Sequence, residues 1–134
     1  MGKEFLLDTN TVIYFLNGSF PEPAMDFLEK MLNEKGSIIS IVTKIELLGW
    51  QTPNKVHMAV VESLVRKSTI VPLTDLIAEK AILIRRVRKI KLPDAVIAAS
   101  AILGDYTLIS RNDKDFKGIA NLSFMNLFTD KLTP

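Results

Sequence analysis

Short apolar runs alternate along this sequence with longer segments of helical periodicity, and that alternation limits the folds open to it. The first run, Phe5-Leu6-Leu7, is apolar at every position, as in a strand buried on both faces of a parallel sheet. Similar runs lie at residues 37–40, 69–72 and 107–110 and within 122–127. Strands separated by helices pair in parallel through right-handed crossovers. The sequence therefore predicts an α/β fold with a parallel five-stranded sheet and helices on both faces.

The segments between these runs carry helix signals. Residues 24–36 repeat apolar side chains at the spacing of an amphipathic helix. Residues 92–103 are apolar on most faces, which predicts a buried helix. Helices are predicted from about residues 10–17, 24–36, 42–50, 56–64, 74–88 and 92–103.

Composition narrows the class of protein. The 134 residues are 48% apolar and 24% charged, as in ordinary globular chains, and we expect one domain spanning residues 1–134. The absence of cysteine excludes disulfides, thiolate nucleophiles and zinc–thiolate sites. The single histidine, His57, excludes histidine-pair nucleases and histidine-rich metal sites. A net charge of +2 is too small to indicate nucleic-acid binding, so any basic surface has to be local.

The sequence also bears on the compartment. No apolar run approaches the roughly 18 residues that cross a bilayer, so no membrane partner is expected. The N-terminus has Glu4 where a signal peptide would have no acid, and the apolar run after it is only three residues long. We expect a cytoplasmic protein of a bacterium or an archaeon.

Four acidic residues lie where an α/β fold brings them to one edge of its sheet. Asp8 directly follows the first strand, Glu46 lies in the helix after the second, and Asp115 follows the fourth. Asp94 opens the helix that leads into the fourth strand, and such a helix begins near the carboxyl edge. Converging carboxylates repel one another, and Mg²⁺ or Mn²⁺ is the cation that an all-oxygen site favours. A metal–carboxylate site with open positions is suited to phosphodiester hydrolysis.

Each acid also suits an ordinary structural role. Asp8 would serve as a helix cap, and Thr43-x-x-Glu46 matches a capping box. Asp94 suits the positive end of a first helical turn, and Asn112-Asp113 is common turn chemistry. The functional interpretation depends on the four acids taken together. If all of them were only helix caps, four caps would have to fall at the same edge of the sheet.

A run of basic residues precedes Asp94. Five of the seven residues from position 85 to position 91 are cationic: Arg85, Arg86, Arg88, Lys89 and Lys91. Cations are favourable at a helix C-terminus, so the run is either a solvated helix end or a phosphate-binding strip beside Asp94. The sequence leaves both readings open. No glycine-rich phosphate loop is present.

The acids lie within four ordered motifs that cover essentially the whole chain. The motifs are Leu6-Leu7-Asp8-Thr9-Asn10, Ser40-x-x-Thr43-x-x-Glu46-Leu47, Lys91-Leu92-Pro93-Asp94-Ala95-Val96-Ile97-Ala98-Ala99 and Leu108-Ile109-Ser110-Arg111-Asn112-x-x-Asp115-Phe116. The set resembles PIN-domain ribonucleases, and in particular the VapC-type toxins of bacterial and archaeal toxin–antitoxin systems. The resemblance implies a three-layer α/β/α fold, Mg²⁺- or Mn²⁺-dependent RNA cleavage, dimerisation and a small antitoxin partner.

The resemblance also implies residue roles. The catalytic, metal-binding acids are Asp8, Glu46, Asp94 and a fourth, for which Asp113 and Asp115 compete. We favour Asp115, because the position before the phenylalanine matches the family's acidic site better.

Supporting roles follow from the same motifs. Asn10 and Thr43 are expected to orient Asp8 and Glu46 through hydrogen bonds. Polar support is expected from Ser110, Asn112 and Asp113, and RNA contacts from Arg111 together with the basic run.

Other functions fit less well. A phosphatase of the haloacid dehalogenase type would need Asp-x-Asp after the first strand, but Asn10 stands at the second position. A receiver-like signalling module would need an aspartate ending the third strand, where Pro72 stands. A non-catalytic PIN-like module that binds RNA or protein stays open, although the full set of acids argues against it. We therefore favour a metal-dependent endoribonuclease that serves as the toxin of a toxin–antitoxin pair.

Overall fold

The computed structural model describes residues 4–50 and 53–130, and within them strands and helices alternate. The strands are β1 (Phe5–Leu7), β2 (Ile38–Ser40), β3 (Thr69–Val71), β4 (Thr107–Ile109) and β5 (Ser123–Met125). The helices are α1 (Thr9–Leu16), α2 (Glu22–Lys35), α3 (Ile41–Gly49), α4 (Lys55–Lys67), α5 (Asp75–Val87), α6 (Leu92–Leu103) and α7 (Asp113–Phe116).

The five strands form one parallel sheet in the order β3-β2-β1-β4-β5. Leu6 of β1 pairs with Ile38 of β2 on one side and with Leu108 of β4 on the other. The chain builds outward from β1 to β3 and then crosses back to β4. The point where the direction of winding reverses is therefore at β1, and ligands bind beyond the carboxyl ends of strands at such a point. The predicted parallel α/β fold is confirmed.

Helices cover both faces of the sheet, which gives the predicted three layers. Successive strand residues point to opposite faces, so Leu6 packs in the core beneath α5 and α6, and Leu7 packs in the core beneath α1, α2 and α4. Helix α6 is buried from Ala95 to Ala101, as its apolar sequence predicts. No helix in the described part of the chain is both long and apolar enough to cross a membrane.

Helix caps place the beginnings of three helices at the carboxyl edge. Asp8 caps α1, and its side chain accepts a hydrogen bond from the Thr9 N–H. Ser40 caps α3 and accepts from the Val42 N–H, so Thr43 lies inside the helix and the capping box considered for Thr43 and Glu46 is wrong. Asn112 caps the four-residue helix α7, in a stretch whose sequence indicated only a turn.

Candidate active site

The four predicted acids lie at the carboxyl edge of the sheet, around the end of β1. Asp8 follows β1 directly, Glu46 lies on α3, Asp94 in the first turn of α6 and Asp115 on α7. The charges of the other three acids all raise the pKa of Asp94. The four carboxylates are thus within electrostatic reach of one another, although they come from four separate parts of the chain.

Asp8 is the most buried of the four, with 4% of its surface exposed. Its Oδ1 accepts a hydrogen bond of 2.8 Å from the Thr9 N–H, and its Oδ2 accepts one of 2.8 Å from Ser110 Oγ. Burial raises the pKa of Asp8, the bonds from Ser110 and Thr9 lower it in part, and the charges of Glu46 and Asp115 raise it again. The net shift is upward, because burial, the largest influence, together with the two neighbouring charges outweighs the two hydrogen bonds.

Asp94 is half-buried, and its pKa is raised from 3.8 to about 6. Burial is the largest cause, followed by the charge of Asp8, the charge of Asp115, a hydrogen bond with Asp115 and the charge of Glu46. Each of these influences favours the protonated acid. A cation placed among the carboxylates would instead favour the ionised form of Asp94.

Glu46 is exposed and is held by a residue that the sequence did not single out. The Thr9 hydroxyl donates a hydrogen bond of 2.6 Å to Glu46 Oε1 and forms a second bond of 2.9 Å with Thr43 Oγ1. Thr43 is buried and reaches Glu46 through Thr9. This link depends on β1 lying beside β2, which the position of Thr9 after Asp8 did not reveal.

Asn10 was predicted to orient Asp8. The structure places its side chain in solvent, and within residues 4–50 and 53–130 it forms no hydrogen bond with Asp8. The bonds to Asp8 come from Thr9 and Ser110 instead.

Ser110 and Asn112 connect the first and fourth motifs. While Ser110 Oγ donates to Asp8, it accepts a hydrogen bond of 3.0 Å from the Asn112 N–H. Asn112 Nδ2 donates to Asp115 Oδ2 at 2.7 Å, and the Asp115 N–H donates to Asn112 Oδ1 at 3.2 Å. A continuous chain of hydrogen bonds therefore runs from Asp8 to Asp115.

Asp113 has a different partner from Asp115. Its Oδ1 accepts a hydrogen bond of 2.8 Å from Asn126 Nδ2, and Asn126 is 3% exposed. Asn126 Oδ1 also accepts from the Phe128 N–H at 2.9 Å. The charge of Asp115, not that of Asp113, is among the causes that raise the pKa values of Asp8 and Asp94. Asn126, which no sequence motif singled out, thus ties Asp113 to the segment after β5.

The structure divides the basic run. Arg85 Nε donates to the Ile90 carbonyl at 3.2 Å. Arg88 Nη2 donates to the Lys117 carbonyl at 2.6 Å and to the Lys114 carbonyl at 3.4 Å. These two arginines brace the backbone, although Arg85 is itself exposed; Arg86, Lys89 and Lys91 are also exposed.

The donor chemistry of the four acids fits a hard divalent cation. Carboxylate oxygens are the ligands that Mg²⁺ and Mn²⁺ prefer. Burial first, and then repulsion between the acids, raises the pKa values of Asp8 and Asp94, and a bound cation would offset both influences. In the described part of the chain, no three acidic side chains already stand as ligands around a single point. Binding an ion would therefore require the carboxylates to move closer together.

Comparisons with known proteins agree with this geometry. A family model described as the PIN domain matches residues 5–122. Among solved structures, the chain is similar to a chain of a toxin–antitoxin complex from Klebsiella pneumoniae, with 26% identity and a TM-score of 0.75. That match covers 93% of this chain and 98% of the other. A comparison with curated protein sequences gives no match.

Two further structures are similar over nearly their whole length. One is FitAcB from Neisseria gonorrhoeae, at 25% identity and a TM-score of 0.74, covering 93% of this chain and 99% of that one. The other is DNA-bound VapBC from Salmonella typhimurium, at 22% identity and a TM-score of 0.77, covering 94% and 99%. At 22% identity, the likeness to the Salmonella structure shows the fold alone.

Proposed function

The chain belongs to the PIN-domain family, and from that premise we propose that it is a metal-dependent endoribonuclease that acts in the cytoplasm as the toxin of a toxin–antitoxin pair. The observation that carries the proposal is the convergence of Asp8, Glu46 and Asp115 on half-buried Asp94, whose pKa is raised by burial and by the charges of the other three acids. Such a cluster is costly to stability unless it binds a cation, so its presence favours a catalytic role over a purely structural one.

The proposed chemistry is hydrolysis of an RNA phosphodiester bond. A bound Mg²⁺ or Mn²⁺ supplies Lewis acidity, which lowers the pKa of coordinated water and stabilises charge on the phosphate oxygens. Asp8, Glu46 and Asp94 would hold the ion, with Asp115 completing the cluster or positioning a water. Because the only histidine, His57, lies on α4 rather than in a site motif, the carboxylates have to accept the proton of the attacking water.

The surrounding hydroxyl and amide groups fix the acids before substrate binds. Ser110 and the Thr9 N–H each bond one oxygen of Asp8, which sets the plane of that carboxylate. The Thr9 hydroxyl holds Glu46, and Asn112 holds Asp115. Such outer contacts orient metal ligands, and their loss commonly costs about 10- to 100-fold in activity or metal affinity.

A protein partner is part of the proposal. The chain resembles proteins solved within toxin–antitoxin complexes. A groove of about 520 Å³ between the ends of α1 and α2 and the face of α4 is lined by Leu16, Leu32, Val56 and Val60. Val56 is 76% exposed and Val60 is 47% exposed. We propose that an apolar segment of a small antitoxin covers this groove, because exposed apolar patches of this kind mark interaction sites.

A second copy of the chain is also part of the proposal. Helix α5 exposes four apolar side chains: Leu76 at 70%, Leu83 at 52% and Val87 at 87%, which helical spacing places along one face, and Ile82 at 50% beside them. A helix face of this kind is suited to a homodimer contact. Light scattering of the purified chain measures the oligomeric state.

The experiment that tests the activity is RNA cleavage by purified protein with and without Mn²⁺. We expect cleavage only with the metal, and strong losses in Asp8→Asn and Asp94→Asn with the fold retained. Asp26→Asn is the matched control, because Asp26 is an exposed acid on α2 outside the cluster. Equal turnover in wild type, Asp8→Asn and Asp94→Asn contradicts the assigned site. No metal-dependent cleavage of any RNA favours the non-catalytic binding module.

A further inference from the structure

Arg111 stands between the two residues that hold the acidic cluster together. Ser110 on one side is bonded to Asp8, and Asn112 on the other is bonded to Asp115. The Arg111 carbonyl is itself fixed, since it accepts hydrogen bonds from the Asp113 N–H at 3.0 Å and from Asn126 Nδ2 at 3.4 Å. The Arg111 backbone is thus locked at the rim of the candidate site.

The Arg111 side chain rests on aromatic rings rather than on an acid. Its guanidinium carbon lies 4.2 Å from the centroid of Phe128 and 5.6 Å from that of Tyr14. The two rings meet edge to face at 5.4 Å, and Phe20 packs against both, at 6.0 Å from Tyr14 and 4.6 Å from Phe128. We call Tyr14, Phe20 and Phe128 the aromatic shelf.

The shelf holds Arg111 without neutralising it. Stacking uses the flat face of the guanidinium, whereas bonds to anions are formed by N–H groups at its edge. Arg111 is exposed, and none of the described carboxylates forms an ion pair with it. As far as the described residues are concerned, its charge and its edge donors therefore remain available for a ligand.

We propose that Arg111 binds a backbone phosphate of the RNA strand at the rim of the site and that the aromatic shelf holds its guanidinium in the binding position. This inference rests on the proposed function. An RNA strand approaching four carboxylates is repelled, and a fixed cation at the rim offsets that repulsion. The guanidinium edge matches phosphate oxygens bidentately, and stacking lowers the ordering cost of binding.

The test measures the affinity of purified protein for a short single-stranded RNA of mixed sequence. EDTA prevents cleavage, and salt is varied from 50 to 200 mM. We expect Arg111→Gln to weaken binding about tenfold at low salt, as for the loss of a charged hydrogen bond. The slope of log affinity against log salt should fall by about 0.7, the value for one phosphate contact on a single strand.

The matched control is Arg66→Gln, which removes the same charge elsewhere. Arg66 is exposed in the last turn of α4, just before β3 begins, and so lies at the amino edge of the sheet. We expect wild-type affinity and slope for this variant. A slope lowered equally by Arg66→Gln and Arg111→Gln would mean that only net charge matters, and this would overturn the proposal.

A double-variant cycle tests the role of the shelf. Phe128→Leu keeps apolar bulk and removes the ring face, so binding should weaken about threefold, as for a lost cation–π contact, with the salt slope unchanged. Arg111→Gln combined with Phe128→Leu should bind no worse than Arg111→Gln alone, because both changes act through one group. Strict additivity would overturn the positioning role. If Phe128→Leu fails to fold, Tyr14→Leu replaces it.

Whether the wild-type protein cleaves RNA distinguishes failure of the Arg111 proposal from failure of the nuclease proposal. If wild type cleaves RNA with Mn²⁺ and Arg111→Gln binds RNA with the wild-type slope, the Arg111 proposal is wrong and the nuclease proposal stands. If wild type never cleaves RNA but Arg111→Gln still lowers the slope, the nuclease proposal fails and Arg111 remains a phosphate contact of an RNA-binding module.

Discussion

At the scale of single residues, chemically equal side chains have different roles because their hydrogen-bond partners differ. Asp113 and Asp115 are two positions apart on α7, yet Asp113 is bonded to buried Asn126 and Asp115 to Asn112. Asp115 contributes charge to the cluster, and Asp113 joins α7 to the segment after β5. The sequence raised both as candidates, and only the spacing to Phe116 favoured Asp115.

This difference predicts opposite outcomes for two matched substitutions. Asp115→Ala should lower RNA cleavage strongly and leave stability near wild type, because it removes an acid of the cluster. Asp113→Ala should cost about 1–2 kcal/mol in the free energy of unfolding, since buried Asn126 loses a partner, and should reduce cleavage less. Turnover and urea unfolding of both variants decide the matter, and the reverse order of activities would reassign the fourth acid.

The raised pKa of Asp94 predicts how stability depends on pH without metal. Asp94 titrates near 3.8 when unfolded and near 6 when folded, so the native state binds more protons between these values. This contribution is complete below about pH 4 and is lost as pH rises through 6. Asp94→Asn should remove the loss and melt higher than wild type at pH 7 in EDTA.

Thermal unfolding between pH 4.5 and 7.5 measures this effect as the difference in melting temperature between wild type and Asp94→Asn. Asp26→Asn, with its exposed acid on α2, should track wild type throughout. Saturating Mn²⁺ should reverse the order at pH 7, because the ion binds only the folded wild-type cluster tightly. A constant difference across the pH range contradicts the assignment.

At the scale of elements, the basic run after α5 is partly structural. Arg88 reaches across to the carbonyls of Lys114 and Lys117, which flank Asp115 on α7 and the turn after it. Arg86 is exposed and lines a groove along α5 that Arg88 also borders, but no described residue accepts a hydrogen bond from its side chain. We therefore expect Arg88 to brace the site and Arg86 to attract RNA.

Substituting each arginine alone should show this separation. Arg88→Gln should destabilise the protein by about 1–3 kcal/mol through lost charged hydrogen bonds, and should lower cleavage by loosening α7. Arg86→Gln should leave stability and cleavage near wild type and lower the salt dependence of RNA affinity. Chemical unfolding and salt titration measure both effects. Equal losses of stability in the two variants contradict the bracing role.

The elements that local periodicity determines were predictable, and those that depend on contacts across the sheet were not. Residues 5–7 are apolar throughout and residues 92–103 are apolar on most faces, and both are elements close to the predicted bounds. Helix α7 is four residues long, too short to show a period, and depends on the Asn112 cap. Thr9 lies in the first motif, but its bond to Glu46, like that of Asn126 to Asp113, joins groups distant in sequence, so neither contact was predicted.

At the scale of the whole molecule, the acidic cluster and the proposed antitoxin groove are separate surfaces. The acids lie at the carboxyl edge of the sheet, whereas the groove is formed by α4 and the ends of α1 and α2. A partner anchored in the groove could extend to the acids and block them. Carboxylates favour a guanidinium, so we expect the blocking segment to carry arginine.

A charge placed in the groove should therefore break the complex and spare the enzyme. Val60 lines the groove at 47% exposure, and Leu103 at the end of α6 is 49% exposed and lies outside it. Val60→Glu should abolish co-purification with a small antitoxin encoded by a neighbouring gene and leave RNA cleavage unchanged, because burying an unpaired carboxylate opposes apolar docking. Leu103→Glu should retain both the complex and its inhibition. Size exclusion and cleavage assays of the co-expressed proteins measure both properties.

If Val60→Glu still forms an inhibited complex, the partner binds elsewhere. If the wild-type protein forms no complex and is fully active, the toxin proposal fails while the nuclease proposal stands.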